Sequence, residues 1–99
     1  MKHPLLNPDS AKHYDAGKKT AIEMLEEQTV VCSVIGWCEC NIFKYNHRKA
    51  LKGESEADEK KIETYSNYLK LLNSMGREAY YMRVKDAYKK YGIQIEYTL

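Results

Sequence analysis

Apolar side chains recur at intervals of three and four residues along most of this chain, which is the spacing of one face of an α-helix. The first such segment begins at Thr20, since Thr20 to Glu23 has the spacing of a capping box, and it ends near Gln28. A second helix is predicted from Val30 onward. The β-branched residues at its start leave a strand over residues 29–35 as the alternative.

The next segment, residues 46–54, is polar and contains one glycine, so it is predicted to be a loop with solvated basic side chains. Ser55 and the acidic residues after it predict the start of a third helix, because the helix dipole favours negative charge in the first turn. The predicted buried stripe of this helix consists of Ile62, Tyr65, Leu69 and Leu72.

A fourth helix is predicted between Gly76 and Gly92, since glycine commonly separates or ends helices. The residues predicted to share one face of it are Tyr80, Val84, Ala87 and Tyr91. The fold class that follows is all-α, a small helical bundle of about four helices around one core.

Both ends of the chain have a different pattern. Residues 1–12 contain prolines and other turn-forming residues and predict an extended N-terminal arm, which leaves residues 13–92 as the helical domain. Residues 93–99 alternate apolar and polar side chains, as a short strand does. Because a lone strand needs a partner, we expect this extended C-terminal segment to pair with a second subunit in a homo-oligomer.

Composition and charge narrow the class of protein. Of the 99 residues, 43% are hydrophobic and 30% are charged, which is typical of a soluble globular domain. The net charge of +2 makes nucleic acid an unlikely partner, because proteins that bind it usually carry a concentrated basic face. Without a long apolar run or a secretory signal, we expect a cytoplasmic protein that does not enter a membrane.

The three cysteines are odd in number and lie in one apolar segment, which is typical of reduced core thiols. Cys38 and Cys40 have a spacing seen in metal sites. On a helix, however, their side chains point about 200° apart, which argues against a metal site there.

The start of the first helix is a candidate phosphate site. Gly17–Thr20 resembles part of a P-loop, but the glycine spacing is wrong and no hydrophobic strand precedes it. The free amides at the helix start, with Lys18 and Lys19 beside them, can still bind a phosphate group. The alternative is a capped helix start whose lysines are solvated.

Acidic side chains on the first helix are candidate metal ligands. Glu23 and Glu27 lie one turn apart on the same face, and Glu26 lies between them in sequence. Paired carboxylates can hold Mg²⁺ beside nucleotide phosphates. The alternative is the exposed face of an amphipathic helix.

A second polar cluster follows on the second helix. Helical spacing places Asn41, Tyr45 and Arg48 on one strip, with Lys44 adjacent. Asparagine can bind a base edge, the two cations can neutralise phosphate, and tyrosine can stack or donate a hydrogen bond. The alternative is a helix end that is stabilised by cations near its C-terminus.

The motifs His13-Tyr14, Gly17, Ile22-Glu23, Glu26, Asn41, Lys44-Tyr45 and Tyr68-Leu69 follow one another along the chain. Through these motifs, residues 13–72 resemble a family of small bacteriophage proteins. One branch of that family is a deoxynucleoside monophosphate kinase without a conventional phosphate-binding loop, and most other members have no assigned activity. The chain departs from the family pattern at Lys19-Thr20 and Glu63-Thr64.

The resemblance implies a nucleotide-binding protein of the bacterial host cytoplasm, and specifically a kinase that uses ATP and Mg²⁺. In this hypothesis the catalytic residues are Glu23, Lys44 and Arg48, and the metal ligands are Glu23 and Glu26. The residues expected to bind the nucleotide are Tyr14, Lys18, Lys19, Asn41 and Tyr45.

The nine tyrosines support a different function. Most of them fall at helical spacings where they pack at the edge of a core, but tyrosine-rich surfaces are also common in protein interfaces. The alternative hypothesis is therefore a non-enzymatic phage protein that binds and inhibits a host enzyme or an antiphage defence component.

Overall fold

The computed structural model describes residues 1–6, 19–53 and 56–98. Within this part of the chain, α2 packs along α3, and α1 packs on α4. The all-α prediction is confirmed. The helices are α1 (Ala21–Gln28), α2 (Val31–Lys52), α3 (Glu56–Asn73) and α4 (Val84–Lys90), with a 3₁₀ turn at Arg77–Ala79 between α3 and α4.

The first helix begins and ends where the sequence predicts. Thr20 Oγ1 accepts a hydrogen bond from the Glu23 N–H at 3.2 Å, which caps the start of α1. The chain then extends through Thr29 and turns into α2 at Val31. The prediction of a second helix is thus confirmed, and the strand over residues 29–35 is not formed.

The starts of α2 and α4 cap each other through their backbones. Val30, which precedes α2, offers no side-chain hydrogen bond to the helix start. Instead the Val31 N–H donates to the Met82 carbonyl at 2.9 Å, and the Val84 N–H donates to the Thr29 carbonyl at 3.0 Å. Amides that helix geometry leaves without a partner are therefore satisfied by contacts distant in sequence.

The predicted loop over residues 46–54 is wrong for most of its length, because α2 continues to Lys52. Nothing in this segment breaks a helix until Gly53, where φ is +79°. Its polar side chains lie largely on the exposed side of α2, and Lys49 forms a 2.8 Å ion pair with Glu59 of α3. A polar sequence here marks an exposed helical face.

The buried face of α3 is shifted from the predicted stripe. Leu72 is fully buried as expected, but the other fully buried apolar residue of α3 is Tyr68. The remaining predicted members, Ile62, Tyr65 and Leu69, are only half-buried. The core toward which Tyr68 points therefore lies on the side of α1 and α4.

On α4 the predicted face is half right. Val84 and Ala87 are buried, but Tyr88 is buried in place of Tyr91, which is 38% exposed. Tyr80 precedes the helix, because a 3₁₀ turn and an irregular segment separate Gly76 from α4. The buried core cluster consists of Ile22, Val31, Val34, Cys38, Tyr68, Leu72, Met75, Ala79, Val84, Ala87 and Tyr88.

The N-terminal residues supply the partner for the C-terminal segment. Lys2 and Glu96 form an isolated parallel bridge, in which the His3 N–H donates to the Glu96 carbonyl at 3.2 Å. The Glu96 N–H in turn donates to the Met1 carbonyl at 2.7 Å. The C-terminal segment therefore has a pairing partner within its own chain, and its pairing with a second subunit in a homo-oligomer stays a prediction. Residues 7–12 of the predicted arm lie outside the described residues.

Among the helices of the described segments, none combines the length and the apolar character that crossing a membrane requires.

Candidate functional site

One face of α2 carries a strip of four side chains, Trp37, Asn41, Lys44 and Arg48. A helix turns by about 100° per residue, so these positions lie within about 60° of one another. Trp37, Lys44 and Arg48 are exposed and Asn41 is half-buried. This α2 strip runs along the edge where α2 meets α3, and Tyr45 is turned from it into that contact, where it is 7% exposed.

Three cationic side chains meet at the ring of Tyr45. Lys44 Nζ lies 4.7 Å from the ring centroid, and Arg48 Cζ lies 5.7 Å from it. The third is Lys61 of α3, whose Nζ lies 5.0 Å away. Each such contact contributes only about 0.5–1 kcal/mol at an exposed site, so the ring holds each cation weakly. An anion at this place would interact with the cations more strongly than the ring does.

A negative charge approaches this cluster from α3. Asp58 Oδ1 lies 4.0 Å from Arg48 Nε, at the limit of an ion pair. Asp58 is 4% exposed, whereas the Arg48 side chain is 45% exposed. The buried carboxylate therefore approaches Arg48 from α3, while nearly half of the arginine side chain remains exposed to solvent.

Aromatic rings connect the cations to the other end of the strip. The Tyr65 ring of α3 stacks on Tyr45, with centroids 6.1 Å apart, and meets Trp37 at 5.3 Å in a perpendicular contact. Burial raises the pKa of Tyr65, so its hydroxyl remains protonated. Asn41 lies one turn after Trp37 on α2, and its Nδ2 donates to the Trp37 carbonyl at 2.9 Å.

An apolar groove of about 480 Å³ opens at the Trp37 end of the strip, between α1 and α2. Its walls include Leu5, Ile22, Leu25, Val34 and Trp37. The volume lies within the range of small-molecule sites, which combine apolar walls with a few polar groups. Here the polar groups lie farther along the same face of α2.

Residues 7–67 match DUF3310, a family described as proteins of unknown function. The chain belongs to the DUF3310 family. The match includes the whole α2 strip, together with Asp58, Lys61 and Tyr65 of α3. Comparison with curated proteins and with solved structures gave no match.

The acidic residues of this DUF3310 chain occupy two different environments on α1. Glu23 accepts a hydrogen bond from Lys85 of α4 at 2.7 Å. Lys85 also lies 3.5 Å from Glu27, which accepts from Lys19 at 2.6 Å. These contacts form a surface ion-pair network in which the Glu23 hydrogen bond raises the pKa of Lys85, and the Lys19 hydrogen bond lowers the pKa of Glu27.

Glu26, in contrast, is fully buried and accepts four hydrogen bonds. Burial alone raises the pKa of a carboxyl group, but hydrogen bonds from His3, Tyr68 and Tyr88 outweigh it, so the pKa of Glu26 is lowered. The donors are Tyr68 at 2.5 Å, Tyr88 at 2.6 Å and His3 Nε2 at 3.0 Å on Oε2, and Tyr97 at 2.5 Å on Oε1. We call these five residues the Glu26 cluster.

Burial and the Glu26 charge raise the pKa of the three tyrosines in the Glu26 cluster, so their hydroxyls remain donors. His3 Nδ1 accepts from the Leu5 N–H at 3.1 Å, which assigns the donated proton to Nε2. The cluster thus joins the N-terminal residues, α1, α3, α4 and the C-terminal segment. Its geometry is that of a structural anchor with an ionised carboxylate at the centre.

The predicted site residues therefore separate into two regions. Asn41, Lys44 and Arg48 lie together on the α2 strip, as predicted, whereas Tyr45 is turned from the strip into the contact with α3. Glu23 and Glu26 lie on α1 beside α4, and none of the described contacts joins them to the strip. The cations are also far from the start of α2, which follows α1. With a rise of 1.5 Å per residue, Lys44 lies about 20 Å along the helix from its first residue, Val31. Lys19 pairs with Glu27, and Tyr14 and Lys18 lie outside the described residues.

Across residues 1–6, 19–53 and 56–98, no group of three or more His, Cys, Asp or Glu side chains is arranged to hold a metal ion. The assignment of Mg²⁺ to Glu23 and Glu26 stays a prediction. Sequence reasoning did not include Lys61 among the site residues, although it lies one turn before Tyr65. It also missed the Glu26 cluster, because the tyrosine spacings indicate only packing.

Proposed function

We propose that this DUF3310 protein binds a nucleotide and that Lys44, Arg48 and Lys61 bind its phosphate groups. The supporting observation is the convergence of these three cations on the Tyr45 ring, at 4.7–5.7 Å from its centroid. Among the described ion pairs, only Asp58 brings a carboxylate to any of the three. A multiply charged anion is the ligand that such an arrangement favours.

The length of α2 weakens the simpler explanation that these cations stabilise a helix C-terminus. The helix dipole acts on charges within the last turn of a helix. Lys44 precedes the last residue of α2, Lys52, by eight positions, which is more than two turns. Lys49 and Lys52 occupy the last turn instead, so Lys44 needs a different role.

The finer form of the proposal is transfer of phosphate from ATP to a deoxynucleoside monophosphate in the cytoplasm of a bacterial host, as in one branch of the phage proteins that the sequence resembles. Phosphoryl transfer depends mainly on positioning and charge stabilisation, which Lys44 and Arg48 can supply. Mg²⁺ would need Glu23, and Glu23 is bound by Lys85. Metal binding at Glu23 therefore requires Lys85 to release it.

Binding of inorganic triphosphate, measured by titration calorimetry, tests the phosphate site. Lys44→Ala should weaken binding by about tenfold or more, since a hydrogen bond to a charged group contributes about 1.5–3 kcal/mol. Lys70→Ala is the matched control, because Lys70 is an exposed lysine elsewhere on α3. If both variants lose affinity equally, binding reflects net charge and the site is refuted.

Chromatographic detection of product tests the kinase form separately. The protein is given ATP, Mg²⁺ and each deoxynucleoside monophosphate. Product that disappears in Lys44→Ala supports phosphoryl transfer at this site. Triphosphate binding without product from any substrate rejects the kinase form and retains the binding function.

A second candidate function is binding of a host enzyme or defence component without catalysis. It is favoured by Phe43 and Leu51 on α2, which are 74% and 73% exposed. His47 lies between them in sequence and stacks on Phe43 at 6.4 Å. Exposed apolar groups of this kind mark interaction surfaces when they are contiguous. Phe43→Asp should then abolish capture of a purified partner and leave triphosphate binding unchanged.

A further inference from the structure

We propose that the base of the bound nucleotide stacks on Trp37 in the apolar groove, and that the site is matched to a nucleoside triphosphate rather than to a monophosphate. This inference rests on the nucleotide-binding function proposed above. It adds a residue, Trp37, and a ligand length to that function.

The order of side chains along the α2 strip matches the order of groups in a nucleotide. Trp37 offers an aromatic surface, Asn41 offers an amide, and Lys44 and Arg48 offer positive charge. A nucleotide carries its aromatic base, its ribose hydroxyls and its phosphates in the same order. Since the four side chains lie within about 60° on one face, a single extended ligand can contact all of them.

Trp37 is placed to receive a planar apolar group. It is 39% exposed and forms one wall of the apolar groove, whose other walls include Ile22 and Leu25. The perpendicular contact with Tyr65 fixes the indole ring from the α3 side, at an interplanar angle of 81°. An ordered aromatic ring beside an apolar groove provides a stacking platform that any base can use.

The distances along α2 select the length of the ligand. Lys44 lies about 10 Å along the helix axis from Trp37, and Arg48 lies about 16 Å from it, at 1.5 Å per residue. In a nucleoside monophosphate only a ribose separates the base from its single phosphorus. A triphosphate chain adds two phosphorus centres, and its outer phosphates can reach Arg48 and Lys61 while the base remains on Trp37.

Trp37 is the single tryptophan of the chain, so its fluorescence reports directly on this site. We expect ATP to change the emission of the wild-type protein with a saturable curve. Inorganic triphosphate, which has no base, should bind in calorimetry without this change. AMP should bind at least about tenfold more weakly than ATP, because it lacks the outer phosphate contacts.

Trp37→Leu should weaken ATP binding about fivefold to 150-fold, the range for loss of one base–aromatic stack, and leave triphosphate affinity unchanged. Both affinities are measured by calorimetry after circular dichroism has shown wild-type helix content. Tyr81→Leu is the control, since Tyr81 is an aromatic residue that is 85% exposed and lies outside the groove. Its ATP affinity should equal that of the wild type.

Several results would overturn the inference and leave the phosphate site intact. They are an unchanged ATP affinity in Trp37→Leu, an equal loss for ATP and triphosphate, and AMP binding as tight as that of ATP. If Trp37→Leu does not fold, the fluorescence of the wild-type protein provides the test. Trp37 emission that does not change when ATP binds excludes stacking of the base on Trp37. If the wild type binds no triphosphate at all, the failure lies with the proposed function itself.

Discussion

Replacement of Glu26 by glutamine is the most demanding test of what holds this fold together. The Glu26 carboxylate accepts hydrogen bonds from three tyrosine hydroxyls and from His3. Glutamine has the same shape, but it offers one acceptor oxygen and places an NH₂ donor where the second oxygen was. Some of the four donors must therefore lose their acceptor inside the core.

The size of the loss follows from how the donors are distributed. Oε2 binds Tyr68, Tyr88 and His3, whereas Oε1 binds Tyr97. The neutral amide oxygen that takes the Oε2 position is a weaker acceptor for its three donors, and the NH₂ group at the Oε1 position can no longer accept from Tyr97. Since a hydrogen bond to a charged group contributes about 1.5–3 kcal/mol, the changes at the two oxygens together cost about 3–6 kcal/mol. A domain of this size has about 5–15 kcal/mol of total stability.

Urea unfolding followed by far-UV circular dichroism at neutral pH measures this loss. The matched control is Glu27→Gln, the neighbouring substitution of the same type on α1. Glu27 pairs with Lys19 and Lys85 at the surface, so its variant should unfold at nearly the wild-type urea concentration. A Glu26→Gln variant that loses less than about 1 kcal/mol would refute the anchoring role of the Glu26 cluster.

The loss of stability at acid pH is a second test of the role of the Glu26 carboxylate. The pKa of Glu26 is lowered in the folded protein from its ordinary value of 4.5. Its contribution to stability is therefore complete above about pH 4.5 and is lost as the pH falls through the folded pKa. The wild type should lose stability more steeply than Glu26→Gln in this range. Parallel acid profiles for the two proteins would contradict the assignment of an ionised Glu26.

Two further predictions concern the cysteines of α2 and the glycine that follows this helix. Burial raises the pKa of the Cys38 thiol to about 12, whereas Cys40 is exposed. A thiol reagent should therefore modify Cys40 in the folded protein, and Cys38 only after unfolding in urea. Mass spectrometry of the modified peptides checks this, and rapid native labelling of Cys38 would contradict the buried position. Gly53→Ala should lower the free energy of unfolding, measured in urea, by about 1–3 kcal/mol, because a residue with a side chain is strained at φ of +79°. An unchanged urea midpoint would contradict this backbone conformation.

Local signals account for the parts of the fold that the sequence predicted. The Thr20 cap and the spacing of apolar residues give α1 and the start of α2 without reference to the rest of the chain. Over residues 46–52 the same reasoning failed, since polar residues occur both in loops and on exposed helical faces. Contacts with α3, such as the ion pair of Lys49 with Glu59, show that these residues form an exposed helical face and not a loop.

The candidate site likewise contains residues that local sequence signals predicted and residues that only tertiary packing brings in. Asn41, Lys44, Tyr45 and Arg48 were predicted as neighbours because helical geometry alone brings positions three and four apart together. Lys61 reaches the Tyr45 ring only through the packing of α2 on α3. The Glu26 contacts are more distant still, with donors 23, 42, 62 and 71 residues away in sequence, and no periodic pattern encodes them.

The span of the family match separates the two clusters in a way that bears on function. Residues 7–67 contain the α2 strip together with Lys61 and Tyr65. They also contain Glu26, but all four of its donors lie outside this span, in the residues before it and after it. The α2 strip lies complete within the matched region, whereas the Glu26 cluster depends on both flanking segments. This distribution supports the proposed binding role of the strip and the structural role of the cluster.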